Sequence, residues 1–296
     1  MLSMTRRDFL KTSSLLSLST VLTPQSMLAS PFGLPVGLQL YSVRDLLPKD
    51  YEGTLKQLAA IGYQEVEAAG FFGHTALEVK SAMQSAGLRC VSAHYPSNDL
   101  HQRFDEIVAF HKELGAPYII CSSPGFKDAA SAQPHAALSL DDWRWNADEF
   151  NKMGAKVKAA GMHFGYHNHI AEFHKLEGVT PYDELLRLTD PALVTFEMDC
   201  GWVTVGGGDP VAYLQEHPTR ISMLHVKDFK ASSQPASLGN PPKSAELGQG
   251  IANYKAIFHA ARKVNIKHYF VEQEEFDMPP FEALKIDADY MKKLTA

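Results

Sequence analysis

The chain has 296 residues, of which 45% are hydrophobic, 21% charged and 10% aromatic, an ordinary globular composition with enough apolar residues for a sizeable core. Its formal net charge of −6, with no Lys/Arg cluster outside the N-terminus, gives no electrostatic footprint for nucleic acid and disfavours an anionic lipid surface. Length alone allows one or two domains.

In chain order, the first thirty residues read as a processing segment rather than as fold. Thr5-Arg6-Arg7-Asp8-Phe9-Leu10-Lys11 precedes a Ser/Thr/Leu-rich apolar run over 12–22, a positive region before a short apolar stretch. The pattern resembles the twin-arginine export signal, S/T-R-R-x-F-L-K. That resemblance implies passage through the twin-arginine machinery to a periplasmic or otherwise extracytoplasmic location, already folded and with any cofactor in place. Cleavage is expected near Ala29-Ser30; because the A-x-A pattern is poor, retention as an N-terminal anchor stays open. A disordered basic tail is the bland alternative. No later stretch reaches the ~18 apolar residues of a membrane span. Cys90, Cys121 and Cys200 are odd in number, far apart and set in apolar runs, so they read as small buried hydrophobes rather than a disulfide framework.

Residues 31–296 have about the ~250-residue length of one (β/α)8 barrel. Short apolar runs rich in β-branched or aromatic residues fall at 36–43, 65–69, 89–95, 118–122, 163–169, 194–200, 221–226 and 268–273. They look like parallel strands buried on both faces. Helical periodicity separates them at 51–61, 76–86, 100–114, 143–160, 181–188, 210–216, 254–264 and 281–294. Asp50, Asp99, Asp141, Thr180, Asp209 and Asn253 stand as candidate N-caps, and Gly62, Gly87, Gly115 and Gly161 as C-terminal caps. Strict alternation predicts a parallel sheet with right-handed crossovers, a single α/β barrel. The competing doubly wound sheet usually has fewer strands, and no G-x-G-x-x-G follows the first strand here. Longer insertions at 124–140 and 230–250 are βα loops, on the face where barrel active sites sit.

Polar residues crowd the C-terminal strand ends: Gln39, Tyr41, Glu67, His94, His167, Asn168, His169 and, just beyond, Glu172. Glu197, Asp199, Trp202, His225, Lys227, Asp228, Glu272, Gln273 and Glu274 follow. Burying so many without function would be destabilising by several kcal/mol in aggregate. Carboxylates with histidine suit one divalent ion such as Mn, Mg, Co or Zn. Taken singly, each has a plainer reading. His167 and His169 could be core or loop histidines, Asp199 and Asp228 loop caps, Glu274 and Glu275 a solvated pair, and Glu172 simply exposed. The joint pattern is what points to a metal centre.

These segments carry a resemblance: Val36-Gly37-Leu38-Gln39-Leu40-Tyr41-Ser42-Val43-Arg44, Tyr166-His167-Asn168-His169-x-x-Glu172-Phe173, Glu197-x-Asp199-x-x-Trp202, Gly207-Gly208-Asp209-Pro210, Leu224-His225-Val226-Lys227-Asp228, Gly248-x-Gly250 and Phe270-Val271-Glu272-Gln273. Together they resemble the xylose-isomerase-like TIM barrel superfamily of sugar phosphate isomerases/epimerases, over essentially all of 36–296. The resemblance implies one divalent metal held by Glu172, Asp199, His225 and Glu272. The strand-five position departs from the pattern, because ketose-converting relatives place a Glu near where His167 stands. His167 or His169 therefore stands as an alternative to Glu172.

What the resemblance implies chemically is isomerisation or epimerisation of a small carbohydrate, by proton transfer beside a carbonyl through an enediolate. Glu172 and Glu272 are the candidate acid and base, His94, His167 and His169 alternatives for the proton relay, and Lys227 a candidate oxyanion holder. Gln39, Tyr41, His169 and Trp202 are candidates for substrate binding, with barrel-mouth packing the alternative for the aromatics. The strand-five motif also resembles inosose-dehydratase-like and keto-glycoside-cleaving members, so β-elimination by a lyase is the alternative. An extracytoplasmic location favours a neutral sugar over a phosphorylated one. An apurinic-endonuclease-like nuclease is opposed by the acidic balance, and a non-catalytic sugar-binding barrel by the full set of metal-competent residues. Oligomeric state stays open.

Overall fold

A computed structural model describes residues 30–132, 136–237 and 239–294; the twin-arginine segment lies outside the described residues. Eight parallel strands close into a ring: β1 (Gly37–Gln39), β2 (Glu65–Ala68), β3 (Arg89–Pro96), β4 (Tyr118–Ser123), β5 (His163–His167), β6 (Val194–Asp199), β7 (Ile221–Val226) and β10 (His268–Val271). Gly37 closes it, pairing with Glu65 on one side and Phe270 on the other. A two-stranded antiparallel ribbon, β8 (Asp228–Phe229) with β9 (Ser244–Ala245), lies in the loop after β7.

The helices form the outer layer: α1 (Tyr51–Ile61), α2 (Ala76–Ala86), α3 (Ser97–Gln102), α4 (Phe104–Leu114), α5 (Leu140–Ala159), α6 (Pro181–Leu188), α7 (Cys200–Val205), α8 (Pro210–Glu216), α9 (Tyr254–Ala261) and α10 (Pro280–Lys293). Strand residues Leu38, Val66, Ile119, Phe164, Phe196 and Leu224 share one core with Leu55, Val79, Val157, Leu185 and Leu284 of the helices. Each fully buried side chain of this kind stabilises the fold by ~1.5–3 kcal/mol. A separate cluster of Val91, Tyr118, Ile120, Met223 and Phe270 fills the lumen.

Two register shifts decide what the lumen holds above that cluster. One lies between Val66 and Glu67 opposite β3, the other between Phe196 and Glu197 opposite β7. In β3 the successive residues Val91 and Ser92 both face the lumen, so the alternation changes parity there and His94 follows Ser92 inward. Bulges of this kind re-aim side chains beside active sites.

Several expected boundaries move. β1 stops at Gln39 because its side chain accepts from the Tyr41 N–H and caps a 3₁₀ turn over Leu40–Val43. The helix expected over 100–114 breaks at Arg103, whose backbone is non-helical, and begins earlier, so Asp99 lies in a first turn rather than at a cap. α5 starts at Leu140 because Ser139 and Asp142 form a capping box, which places Asp141 inside the helix. Thr180 occupies its N-cap position without a side-chain cap bond, and α9 ends at Ala261. α7 was not expected; Asp199 caps it through the Trp202 N–H. Asp50, Asp209 and Asn253 cap as expected, and all three cysteines are free and buried.

Candidate metal centre and catalytic cavity

Asp199 ends β6 with both functions of its carboxylate separated. Oδ1 accepts from the Trp202 N–H at 2.8 Å, and the Asp199 N–H donates to Asn168 Oδ1 at 3.0 Å. Oδ2 is buried and has no hydrogen-bond partner. It lies 3.9 Å from Nδ1 of His225, at the end of β7, and the same Nδ1 is 3.2 Å from Glu272 Oε2, just past β10. These three side chains offer ligand atoms within 4.8 Å of one another, all buried, and so form a group that could hold a metal ion. Burial, against the opposing pull of Lys227 and His225, pushes the Asp199 carboxyl up to about 7. An unpaired carboxylate oxygen facing an imidazole nitrogen and a second carboxylate is a donor set lacking a cation, so these residues fit a divalent ion.

Lys227 is fully buried beside them. Its ammonium donates to Glu272 Oε2 at 3.0 Å and to Glu274, and lies 4.9 Å over the Trp202 ring. Burial would raise Glu272, but Lys227 and His225 outweigh it and hold the carboxyl well below the usual range. Lys227 is correspondingly pushed up, Glu272 and Glu274 overcoming its own burial.

A second group of ligand-competent atoms, His94, His167, Glu197 and His225, lies within the same mutual distance. Glu197 Oε2 is 2.8 Å from His94 Nε2, 3.1 Å from His167 Nδ1 and 3.2 Å from His225 Nε2. Glu67 Oε1 is 2.8 Å from His94 Nε2 and 2.7 Å from His225 Nε2, and accepts from Gln39 Nε2 at 2.7 Å. Burial would lower His94, but Glu67 beside it and hydrogen bonds to Glu197 and Glu67 push it up to about 9. His167, fully buried and facing His225, is driven well below the usual imidazole range, and burial with Lys227 nearby brings His169 down to about 3.

A cavity of about 390 Å³ opens over this floor, walled by Tyr41, His94, His167, His169, Trp202, Glu272 and Glu274 among others. A larger one, about 600 Å³, is lined by Tyr118, His163 and Lys267 and touches no member of either group. The smaller cavity stands at the strand ends, where barrel chemistry resides. The Arg44 guanidinium lies 4.2 Å over the Tyr41 ring and donates to the Tyr41 and Glu274 carbonyls. The loop after β7 is pinned by Asp228, whose carboxylate accepts from the N–H groups of Phe229, Gly248, Gly250 and Ala252 at 3.0–3.1 Å. A Cβ on Gly250 would sit 2.2 Å from Asp228 Oδ1, so only glycine fits there.

Of the residues singled out from sequence, the structure brings Asp199, His225 and Glu272 together. It lines the cavity with Tyr41, His94, His167, His169 and Trp202, and buries Lys227 against the wall. Glu172 stands in neither ligand group. Its Oε1 accepts from Tyr166 Oη at 2.5 Å and from the His169 N–H at 2.9 Å, and its carboxyl is raised by burial. Gln39 lies beneath the cavity rather than on it, its side chain bridging Glu67 and the Tyr41 N–H. Glu67 and Glu197 had no assigned role in the sequence reading, and Glu274 stood as one of a solvated pair. The apolar, strand-like surroundings of Glu67 and Glu197 are the signal that they would be buried, whereas Glu274, past the end of β10, stays partly exposed.

Residues 55–294 match the sequence profile of the xylose isomerase-like TIM barrel. An inosose dehydratase of Clostridium beijerinckii is 23% identical over 286 residues, covering 88% of this chain and 95% of its own. Among solved structures, a sugar phosphate isomerase/epimerase from Parabacteroides distasonis is 30% identical with a TM-score of 0.71, over 87% of this chain and 97% of its own. The IOLI protein with a bound zinc atom, 11% identical with a TM-score of 0.68 over 88% and 98% of the two chains, shares the fold.

Proposed function

The chain belongs to the xylose isomerase-like TIM barrel family, whose members act on small carbohydrates, and on that premise we propose a metal-dependent enzyme that removes a proton beside a carbonyl of a neutral carbohydrate or cyclitol. The observation that carries this reading is the convergence of Asp199, His225 and Glu272 beside the cavity, with Asp199 Oδ2 left without a partner. A divalent ion held by these three residues, Mn, Mg, Co or Zn, would polarise the carbonyl and acidify the neighbouring C–H.

The remaining work falls to the chain's own groups. Glu172 is turned into the wall and Glu272 belongs to the ligand group, so proton abstraction is assigned to Glu274, which lines the cavity and is positioned by Lys227. His94 carries a proton at neutral pH and reaches the cavity, which suits it to protonate a departing oxygen. Arg44 covers one face of the Tyr41 ring, leaving the other for a sugar face, with Trp202 and His169 on the far wall. No Lys or Arg lines the cavity among the described residues, which favours a neutral substrate over a phosphorylated one.

Loss of a β-hydroxyl or β-glycosidic group is the favoured outcome. The acid then stands on β3 and the base in the loop past β10, and the likeness to an inosose dehydratase spans nearly that whole protein. Isomerisation or epimerisation is the second reading, supported by the 30% likeness to a sugar phosphate isomerase/epimerase. Export by the twin-arginine route is a further part of the proposal and rests on Thr5–Lys11 alone.

Proton NMR of the metal-loaded protein in D2O, with inososes, ketoses, aldoses and 3-keto-glycosides, tests these readings. Release of water or aglycone with an unsaturated product supports elimination, and deuterium entering beside the carbonyl without loss of a group supports the second reading. No exchange with any of the four metals refutes both.

A further inference from the structure

His225 faces two different environments through its two ring nitrogens. Nδ1 looks towards Glu272 Oε2 and the unpartnered Asp199 Oδ2, while Nε2 is 2.7 Å from Glu67 Oε1 and 3.2 Å from Glu197 Oε2. Carboxylates face both nitrogens and can only accept, so a cation bound between Asp199 and Glu272 requires the lone pair of His225 on Nδ1 and leaves its proton on Nε2, donated to Glu67 and Glu197. Of the two carboxylates, Glu67 makes the shorter contact and is the better anchored. It extends from β2 to β7, strands separated in the ring by β1 and β10, and is fully buried. Gln39 from β1 donates to Oε1 and Ser92 from β3 to Oε2, each at hydrogen-bond distance.

We propose that Glu67 is a positioning residue that fixes the tautomer and ring orientation of His225, so that Nδ1 rather than Nε2 is presented to the metal. The inference rests on the proposed metal centre of Asp199, His225 and Glu272. Nothing in the sequence marks Glu67 for this role, since it sits on a strand that supplies no ligand and lies 158 residues from His225. An outer carboxylate that orients a ligating histidine also raises its basicity, and its removal typically costs ~10–100-fold in metal affinity. The other ligand group, His94, His167 and Glu197, would instead require His225 to ligate through Nε2, and Glu67 occupies that nitrogen. The two arrangements are mutually exclusive for a singly deprotonated imidazole.

The test is a competition titration of the protein with Zn²⁺ against a chromophoric chelator, for wild type, Glu67→Gln, Ser92→Ala and Asp199→Asn, with ¹⁵N NMR of the zinc-loaded histidines. The expected result is ~10-fold or greater weakening in Glu67→Gln. Ser92→Ala, which touches only the far oxygen of Glu67, should stay near wild type. The wild-type His225 signals should show a zinc-bound Nδ1 and a protonated Nε2. Affinity unchanged in Glu67→Gln while Asp199→Asn loses zinc overturns the role of Glu67 alone. Equal losses in Ser92→Ala and Glu67→Gln reduce it to packing and overturn it likewise. Zinc on Nε2 of His225 with Asp199→Asn unaffected places the ion in the other group, and removes both this inference and the proposed centre.

Discussion

The Asp228 clamp offers the most direct check on how the cavity wall is built. Asp228 Oδ1 accepts from the N–H groups of Phe229 and Ala252, and Oδ2 from those of Gly248 and Gly250. In Asp228→Asn one oxygen becomes an NH₂. Placed at the Oδ2 position, it turns a donor on two backbone donors, removing two bonds and leaving two N–H groups unpaired. At ~1–3 kcal/mol for each unsatisfied group, the cost is about 2–6 kcal/mol. Urea unfolding followed by far-UV circular dichroism reads this as a lower midpoint with an unchanged slope. In thermal scans, ~2–4 °C per kcal/mol gives a fall of roughly 10 °C. Gly250→Ala drives a Cβ to 2.2 Å from Asp228 Oδ1, so its effect overlaps with that of Asp228→Asn and the double variant should fall well short of the sum. A variant within ~1 kcal/mol of wild type, or full additivity of the pair, would refute the clamp.

Three other outcomes are expected. His225→Ala should lose metal retention, read by elemental analysis after gel filtration, while keeping its barrel circular dichroism; full retention would remove it from the centre. Asp287, on α10 with Oδ1 accepting from the Leu247 N–H, is pushed up to about 7 by burial, with Glu246 and Asp228 adding to it. Its folded-state value exceeds the unfolded one, so the native state holds the extra proton and stability falls as pH rises from about 4 to about 7. Asp287→Asn should flatten that part of the urea-midpoint profile by an amount on the order of a few kcal/mol, and a parallel profile would contradict it. Replacing Arg6 and Arg7 together by Lys should leave the protein in the cytoplasm, as cell fractionation would show; unchanged export would discard the twin-arginine reading.

The barrel was legible because its signals are local. Runs such as 118–121 are apolar on both faces, Asp50 and Gly62 bracket a helix at the expected positions, and the ring closes through strands of the expected number. Boundaries failed where side chains compete with the backbone: Gln39 ends β1 early, and Ser139 outcompetes Asp141 as a cap by pairing with Asp142. The grouping of Asp199, His225 and Glu272 was also within reach, because each ends an apolar run and strand ends share one face of a barrel. Glu172 shows the limit. Its spacing from His167 and His169 is visible in the motif, but the hydrogen bonds that hold its Oε1 to Tyr166 and the His169 N–H, leaving Oε2 buried without a partner, are not.

Sequence alone therefore determined the layer order, the face that carries the polar residues, and the ligand-competent side chains available there. Only the tertiary structure decided which of them meet. The register shifts in β3 and β7 set which residues point inward, and a change of one residue in parity sends a side chain to the opposite face. Whether a carboxylate such as Glu67 is a surface charge or the partner of a histidine 158 residues away depends on closure of the ring, which brings β2 and β7 to opposite sides of one lumen. Periodicity in the chain reports the environment of each strand by itself, and it holds no record of the distances across the barrel.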